Sequence, residues 1–426
     1  MNQISSVSDC SNAIYTFRKV VVLSRCFPEN IDSAVYGIFQ RFRSLLHSIC
    51  AISKEVHVVF FVDKNIIDKT DVIVFKKNIH DKWGVDITPL LCSTEKFVGN
   101  NNFKDGFFSA FSMDRLELFA PCSGETQSSF VESKIAGDTD LIFVHRLNSY
   151  FPVFAINSKL PPIAFDLDDV EHKKWFRDLS LPPFWFGKLV YYLHLPLLFF
   201  GEMRAVRRSA ITFVCSDKDR RYLNIINPNV NVRVLPNSVD FPDKPSSRRR
   251  PNVLLFVGTY TYFPNVEAAE RLINRIFPLI KIGAPEAELW LVGNKIENIP
   301  SFGSNIQSVK YLGFVESLES ICDEASIVCC PIRSGGGTRI KIIEAAAFGL
   351  PIVSTRVGAE GLDFENGKEI IIESDDKRFA GACVSLLNSY DDGVNIGLNA
   401  RKLARKYGRD NFIHIAKEFL KSIAAH

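Results

Sequence analysis

The sequence lacks several features that define broad protein classes. It has little excess charge, because 51 lysine and arginine residues face 48 aspartate and glutamate residues and leave a net charge of +3. Without a concentrated basic face, that balance argues against a nucleic-acid partner. The ten cysteines form no CxxC pair and no cysteine–histidine cluster at metal-binding spacing, which favours reduced thiols in a cytoplasmic protein.

Leader sequences and long hydrophobic runs are also missing. Residues 1–17 carry neither a basic leader nor a long apolar stretch, so no secretory signal is predicted. The most apolar stretch, LVYYLHLPLLFFG at 189–201, contains His194 and Pro196 and is too short to span a bilayer. The aromatic and arginine-rich segment 184–208 has the composition of a peripheral contact with the inner face of a membrane, and a buried helix explains it equally well.

What the sequence does contain is the alternation of strands and helices typical of α/β proteins. Its 426 residues predict two or three domains. Strand patterns recur in two series. The first begins near Arg18 and continues at 56–63, 140–145, 162–166, 211–215 and 232–235. The second comprises 253–258, 288–293, 309–313, 326–332 and 351–355. Helical stripes between the strands predict right-handed crossovers, and hence two doubly wound parallel domains.

A change in composition marks the boundary between the two series. PDKPSSRRRP at 242–251 is rich in proline, serine and arginine and lacks apolar periodicity, as expected of an exposed linker. We therefore predict an N-terminal domain at 1–241, a C-terminal domain at 252–407, and a closing helix at 408–426.

The most informative stretch is PIRSGGGTRIKIIEAAAFGLPIVST at 331–355. A strand leads into three glycines at 335–337, and a helix then runs to Gly349, which we expect as a left-handed cap. Glycines and a helix N-terminus together favour a bound anion such as a diphosphate, with Arg339 and Lys341 adding positive charge. A tight surface turn explains the glycines about equally well.

Two further sites lie near this loop in the predicted fold. Glu344 sits in an otherwise apolar helical segment, where its carboxylate needs a partner: the hydroxyls of a ribose, or an ion pair with Arg339 or Lys341. Gly258 and Thr259 follow the first strand of the second series, where glycine lets a loop approach a phosphate or a sugar.

In the N-terminal series, polar side chains follow two strands. His145 ends the strand DLIFVH, where a single histidine is more often structural than catalytic. Asp168 and Asp169 lie in FDLDDVEH, at the exit of the next strand. Paired carboxylates there can act as a base or a metal site, or can cap the next helix and bind hydroxyls.

These motifs resemble the group 1 glycosyltransferases, also called glycosyltransferase family four. The resemblance rests on FVGTYTYFPNVEAA, ELWLVG, VKYLGFVESLESICDEASIVCCPIRSGGGTRIKIIEAAAFGLPIVSTRVGAEGL and the upstream SDKDRRYL and NVRVLPNSVD. It is closest to bacterial sugar transferases of surface-polysaccharide pathways. It implies a GT-B fold with two Rossmann-like domains facing across a cleft, retention at the anomeric carbon, no metal and no cofactor.

The resemblance also implies roles for residues of the C-terminal domain. Glu344 matches the second glutamate of the E-x7-E motif, which holds the ribose of the donor nucleotide. The first glutamate falls at Gly336, so sugar recognition would pass to backbone N–H groups at Gly336, Gly337 and Thr338. Gly258 and Thr259 would approach the donor, and Phe314 and Val315 the nucleobase. Because the loop after Gly258 carries no base, Arg339 and Lys341 would neutralise the departing diphosphate.

In the N-terminal domain the resemblance is looser. The family's acceptor loop after the first strand usually has two glycines, whereas residues 30–34 here are small and lack glycine, with Ser33 as the candidate acceptor contact. His145 would hydrogen-bond the donor sugar or help to activate the acceptor. Asp168 and Asp169 would bind acceptor hydroxyls. The closing helix would pack back towards the N-terminal domain.

The leading interpretation is a cytoplasmic, metal-independent, retaining glycosyltransferase of cell-surface polysaccharide biosynthesis. It would move a sugar from a nucleotide-diphosphate sugar to a hydroxyl of a glycan or a lipid-linked acceptor. One alternative is a nucleotide-sugar epimerase of the same architecture, which would need no acceptor. Another is a catalytically silent scaffold that binds a nucleotide sugar or a glycan.

Overall fold

Two parallel β-sheets organise the protein. The structure is a computed structural model that describes residues 15–31, 37–94, 125–135, 137–180, 188–246 and 250–424. Within these ranges, the first sheet has seven strands in the order β3-β2-β1-β4-β5-β6-β7, and the second has six in the order β10-β9-β8-β11-β12-β13. Each sheet reverses its strand order beside its first strand, which is the doubly wound arrangement. The predicted fold class is confirmed.

The strands of the first sheet are β1 (Phe17–Ser24), β2 (Ser53–Val62), β3 (Thr88–Ser93), β4 (Leu141–His145), β5 (Ile163–Asp168), β6 (Ile211–Val214) and β7 (Val232–Val234). Those of the second are β8 (Val253–Val257), β9 (Glu288–Val292), β10 (Val309–Gly313), β11 (Ile327–Cys330), β12 (Ile352–Ser354) and β13 (Ile371–Ile372).

Helices cover the sheets. Those of the N-terminal half are α1 (Gly37–Cys50), α2 (Lys64–Ile67), α3 (Val72–Trp83), α4 (Glu125–Ile135), α5 (Phe151–Phe154), α6 (Glu171–Ser180), α7 (Lys188–Arg208) and α8 (Asp217–Ile226). Those of the C-terminal half are α9 (Phe263–Arg271), α10 (Phe277–Gly283), α11 (Leu318–Glu324), α12 (Ile340–Ala347), α13 (Asp376–Asn388), α14 (Tyr390–Ala404) and α15 (Arg409–Ala424). A π-helical turn, Leu272–Ile276, joins α9 to α10.

Burial on both faces explains why the central strands are nearly continuous apolar runs. In β1, Val20, Val21, Val22 and Leu23 are all fully buried, as expected where helices cover both sides of a parallel sheet. Strand β3 was not predicted, because its sequence TPLLCS contains a proline and few β-branched residues. Its edge position in the sheet accommodates that proline.

The ends of two helices in the C-terminal domain depend on glycine and proline. Gly349 lies in the left-handed region with φ of 72° just after α12, so its predicted role as a helix cap is confirmed. Helix α9 begins at Phe263, with Pro264 in its first turn, so Asn265 lies inside the helix and does not cap it. The side chain of Asn265 instead donates to the carbonyl of Thr259.

The last helix returns to the first domain. In α15, Phe412, Ala416 and Leu420 join the hydrophobic core formed by β1, β2 and α1, and a β-bridge pairs Val239 with Gly408 where the chain crosses between domains. The domain boundaries proposed from the sequence stay predictions. No helix in the described ranges has the length and hydropathy needed to span a membrane.

A buried ion pair ties α1 to the first sheet. Arg41 Nε donates to Asp166 Oδ2 at 2.9 Å, and Arg41 Nη1 donates to the carbonyl of Leu235 at 2.9 Å. Both charged side chains are essentially inaccessible to solvent. Their mutual attraction and these hydrogen bonds offset the cost of burying two charges.

We expect Arg41→Met to destabilise the protein by about 3–5 kcal/mol, because it leaves the Asp166 carboxylate buried without a counter-charge. The double variant Arg41→Met with Asp166→Leu should recover part of that loss, since it removes both charges. Denaturant unfolding followed by fluorescence measures both. A double variant no more stable than the single one would contradict this account of the pair.

Candidate functional site

The loop at 334–338, which joins β11 to α12, lies directly against α6 of the N-terminal domain. Arg177 Nη1 donates to the carbonyl of Gly335 at 2.7 Å, and the Gly335 N–H donates to Asp178 Oδ1 at 3.0 Å. Both side chains belong to α6. The opposite domain therefore satisfies the backbone of the first glycine, and the carboxyl ends of the two sheets meet here.

Two of the three glycines have a backbone conformation that favours glycine. Gly335 has φ of 87° and Gly337 has φ of 63°. Space is also short at both positions. A Cβ atom on Gly335 would overlap the hydroxyl of Tyr262, and one on Gly337 would overlap the carboxylate of Asp169.

The middle glycine, Gly336, has a different environment. Its φ is not positive, but a Cβ atom there would lie 3.1 Å from Lys174 Cβ and 3.3 Å from Asp169 Oδ2. A tight turn explains the two outer glycines. The close approach of the N-terminal domain accounts for the third, so the loop is more than a surface turn.

Backbone donors remain free in the same loop. The N–H groups of Gly336, Gly337 and Thr338 have no acceptor within the part of the chain that the structure describes. They precede the first turn of α12, where the helix dipole adds partial positive charge. Successive unpaired N–H groups at a helix N-terminus form an anion-binding site.

Arg339 supports this loop from inside. Its side chain is 7% exposed, and its guanidinium donates to the carbonyls of Ser334 and Gly337, each at 2.9 Å, and to that of Gly336. The direct contact with a diphosphate predicted from the sequence stays a prediction. In this conformation Arg339 acts on the loop, because most of its donors bind loop carbonyls.

Lys341 lies two residues further along and is half-buried by its solvent exposure. Its Nζ donates to Asn265 Oδ1 at 2.9 Å and lies 4.3 Å from the centre of the Phe256 ring. Burial lowers the pKa of Lys341 to about 8, although the neighbouring Cys330 thiol acts in the opposite direction. At pH 7 this pKa leaves most of the lysine protonated, and an anion bound beside it would raise the pKa again.

Glu344 faces the N-terminal domain. Its Oε1 accepts a hydrogen bond from Gln40 Nε2 of α1 at 3.1 Å, and burial raises the pKa of its carboxyl group. No salt bridge joins it to Arg339 or Lys341, all three being described residues. The ion-pair alternative is therefore wrong, and the contact with a ribose stays a prediction.

The loop after β8 adjoins the same region. Gly258 N–H donates to the carbonyl of Val292, and the carbonyl of Thr259 accepts from Asn265, which also binds Lys341. The two loops are thus joined through Asn265. Phe314 is 43% exposed just beyond β10 and Val315 packs on the C-terminal core, and their contact with a nucleobase stays a prediction.

His145 lies in the core of the N-terminal domain. It is 1% exposed, its Nδ1 lies 3.0 Å from Ser24 Oγ, and its ring stacks on Phe42 with 4.8 Å between centroids. Burial holds the pKa of His145 well below its usual value, so the ring is neutral. This placement favours the structural interpretation, and the catalytic role stays a prediction.

The acidic run after β5 sends its carboxylates in different directions. Asp168, with φ of 63°, lies 3.5 Å from Arg41 Nε and 3.8 Å from Arg146 Nε, and accepts from the Cys215 thiol. Asp168, Asp169 and Cys215 are close enough to hold a cation, but two arginines already neutralise Asp168. Independence from metals stays a prediction, and Ser33 lies outside the described residues.

Sequence reasoning missed the basic side chains of α6 and α8. Lys173, Lys174 and Arg177 of α6 and Lys218 line a pocket with Gly336 and Gly337 between the domains. The signals were the charged segments EHKKWFRD and SDKDRRYL, and both are equally typical of solvated helices. Their orientation towards the other domain depends on the tertiary fold.

Glu360 of the C-terminal domain binds two of these bases. Its carboxylate lies 2.6 Å from Arg177 Nη1 and also contacts Lys218 Nζ. Burial acts to raise the pKa of Glu360, but hydrogen bonds from Arg177 and Lys218 hold this pKa at about 2. These ion pairs join the domains across the mouth of the cleft.

The fold and this site define a GT-B protein, in which two Rossmann-like domains enclose a cleft that has an anion-binding loop on one side. Residues 251–389 match the family model described as Glycosyl transferases group 1. Over these residues the chain is similar to the group 1 glycosyl transferases, in agreement with the resemblance found in the sequence.

One sequence relative and several solved structures are similar to this chain at low sequence identity. The chain is 24% identical over 155 residues to an uncharacterized 44.6 kDa protein in the cps region of Klebsiella pneumoniae, and the match spans 34% of this chain and 40% of that protein. Sucrose-phosphate synthase from Thermosynechococcus elongatus has a similar fold, with a TM-score of 0.67 and 15% identity over 96% of this chain and all of the other. Anabaena HepE, solved with UDP and glucose, has a TM-score of 0.60 and 13% identity over 96% of this chain and all of its own.

The buried lysine predicts a pH dependence of stability. Because the pKa of Lys341 is about 8 in the folded protein and about 10.4 in an unfolded chain, the unfolded state binds more protons between these values. The contribution of Lys341 to the free energy of unfolding therefore rises as the pH increases from about 8 to about 10.4. Lys341→Met should stabilise the free protein by about 1–3 kcal/mol at pH 7, a gain that shrinks towards pH 10.

Thermal unfolding between pH 7 and pH 10 measures this effect. Lys402→Met, at an exposed position of α14, is the matched control and should follow the parent protein at each pH. Parallel pH profiles for Lys341→Met and the parent protein would show that the buried lysine is not the cause.

Proposed function

We propose that this protein transfers a sugar from a nucleotide-diphosphate sugar to a hydroxyl of a glycan or lipid-linked acceptor, with retention at the anomeric carbon and without a metal. The observation that carries the proposal is the loop 335–337, whose free N–H groups open onto a helix N-terminus in the cleft. Such a loop suits a diphosphate.

The surrounding residues would divide the work on the donor. The N–H groups of Gly336, Gly337 and Thr338 would bind the diphosphate, while Arg339 holds the loop in shape through its carbonyls. Lys341 would add a full positive charge once an anion raises its pKa. Glu344 would exchange Gln40 for the ribose hydroxyls of the nucleotide.

The chemical step needs stabilisation of the departing charge. The bond between the anomeric carbon and the diphosphate oxygen breaks, and the acceptor oxygen forms its bond on the same face of the sugar. The acceptor proton passes to the departing oxygen, so atoms and charge balance without a separate base. Preorganised N–H groups and Lys341 would lower the barrier, because the charge on the diphosphate grows in the transition state.

Neighbouring proteins suggest the chemical class of the substrates. HepE was solved with UDP and glucose, and the Klebsiella relative is named for the cps region. We therefore propose a uridine nucleotide sugar as the first donor to test, and a role in the biosynthesis of a surface polysaccharide in the cytoplasm.

The donor site is tested by thermal stabilisation in the presence of EDTA with a panel of nucleotide-diphosphate sugars. A ligand at about 100 times its dissociation constant should add roughly 2.7 kcal/mol. Glu344→Ala should weaken binding of the best donor by about 10- to 100-fold, since it removes charged hydrogen bonds. Glu297→Ala, at an exposed turn of the same domain, serves as control.

Catalysis is tested separately, by release of nucleoside diphosphate with and without a glycan or lipid-linked acceptor. Acceptor-dependent release that is lost in Glu344→Ala would support the transferase. Product formation without any acceptor would favour an epimerase, and binding without turnover would favour a silent scaffold. No stabilisation by any donor would contradict the proposal as a whole.

We also propose that α7 contacts an anionic membrane surface. Leu189, Leu193 and Phe200 are each more than half exposed on this helix, and Arg204 and Arg207 are exposed on its next turns. An exposed apolar face flanked by arginines is the composition of an interfacial helix. A helix buried over its whole length does not fit these exposures.

Vesicle sedimentation tests the membrane contact. The protein should bind vesicles containing phosphatidylglycerol more strongly than neutral phosphatidylcholine vesicles, and binding should weaken with salt because exposed charges are screened. Leu189→Glu with Leu193→Glu should abolish binding, whereas Ile282→Glu, at an exposed apolar position on the C-terminal domain, should not. Equal binding of all three proteins would contradict the contact.

A further inference from the structure

Three carboxylates follow one another at the end of β5, and each has a different environment. The pairing of β5 with β6 shifts register between Asp166 and Asp168, and Asp168 has a positive φ. As a result, Asp166 binds Arg41 in the core and Asp168 lies between arginines and Cys215. Asp169 is left to face the C-terminal domain across the cleft.

Asp169 has no partner of its own. Within the described ranges, no hydrogen bond and no salt bridge reaches its carboxylate. Burial and the neighbouring Asp168 raise the pKa of Asp169, while Lys174 and Arg146 act to lower it. The donors for this half-buried carboxylate must come from water or from a ligand with hydroxyl groups.

The position of this carboxylate matches the space that the loop leaves empty. One oxygen of Asp169 occupies the place that a side chain on Gly337 would take, and the other lies 3.3 Å from a Cβ atom built on Gly336. The N-terminal domain thus supplies a carboxylate where the loop of the C-terminal domain has no side chain.

The chemistry of a bound donor fixes which part of it can meet Asp169. The free N–H groups of the loop attract the diphosphate, whereas the Asp169 carboxylate repels it. The next group along the donor is the sugar, whose hydroxyls are hydrogen-bond donors. We propose that Asp169 accepts hydrogen bonds from hydroxyls of the transferred sugar, an inference that rests on the proposed function. This contact would select an uncharged, hydroxylated sugar.

This assignment differs from the contact with acceptor hydroxyls expected from the sequence. If Asp169 binds the sugar of the donor, its loss should affect binding of the nucleotide sugar and leave binding of the free nucleotide intact. If it binds the acceptor, neither should change. A purely structural role would weaken both to the same degree.

Calorimetry with UDP and UDP-glucose on the full chain distinguishes these outcomes. We expect Asp169→Ala to bind UDP within about threefold of the parent protein but to bind UDP-glucose roughly 10- to 100-fold more weakly. Asp178→Asn is the matched control on α6, because Asp178 accepts from the Gly335 N–H. Its effect on UDP and UDP-glucose should be equal.

A second variant tests whether Asp169→Ala acts only by disturbing the cleft, because it moves the carboxylate from residue 169 to residue 336. Gly336→Glu alone should weaken binding of UDP-glucose, because its side chain would crowd Lys174 and Asp169. Combined with Asp169→Ala, it should bind UDP-glucose more tightly than either single variant.

Each result has one meaning. The role of Asp169 would be overturned by any of three results. These are unchanged UDP-glucose binding in Asp169→Ala, an equal loss of affinity for both ligands, or a double variant that binds UDP-glucose no better than Asp169→Ala alone. A parent protein that binds neither UDP nor UDP-glucose would instead overturn the proposed uridine-sugar donor site, on which this inference rests.

Discussion

The close approach of α6 to the loop at 335–337 is the constraint on which the site depends. Asp169 and Lys174 of the N-terminal domain take the space beside Gly336 and Gly337, so a side chain at either position would crowd them. The same approach brings a carboxylate, an arginine and a lysine to the C-terminal anion site. The chemistry of the cleft is therefore shared between domains that have separate hydrophobic cores.

Charge balance across the cleft follows from this arrangement. Arg177 and Lys218 bind Glu360, Asp178 binds the Gly335 N–H, and Gln40 binds Glu344. All these contacts join one domain to the other, and the one between Gln40 and Glu344 involves a group that we assign to the donor. Donor binding would replace that contact, which links occupancy of the site to the relative position of the domains.

The sequence was sufficient for the glycine loop, its helix and nearly all the strands, because each is a local pattern. It could not show that Arg339 turns back onto loop carbonyls or that His145 lies in the core, since local patterns do not fix the direction of a side chain. Gln40, the partner of Glu344, is far away in the chain. The role of α6 was missed for the same reason, because only the packed domains show which face of the helix meets the loop.

The central claim is that the free N–H groups at 336–338 bind a diphosphate without a metal. Hydrogen–deuterium exchange of the segment 331–345, with and without UDP in EDTA, tests it most directly. The account predicts slower exchange in this segment, together with altered exchange in α6, once UDP binds. Binding of UDP with unchanged exchange at 331–345 would place the nucleotide elsewhere and contradict the account.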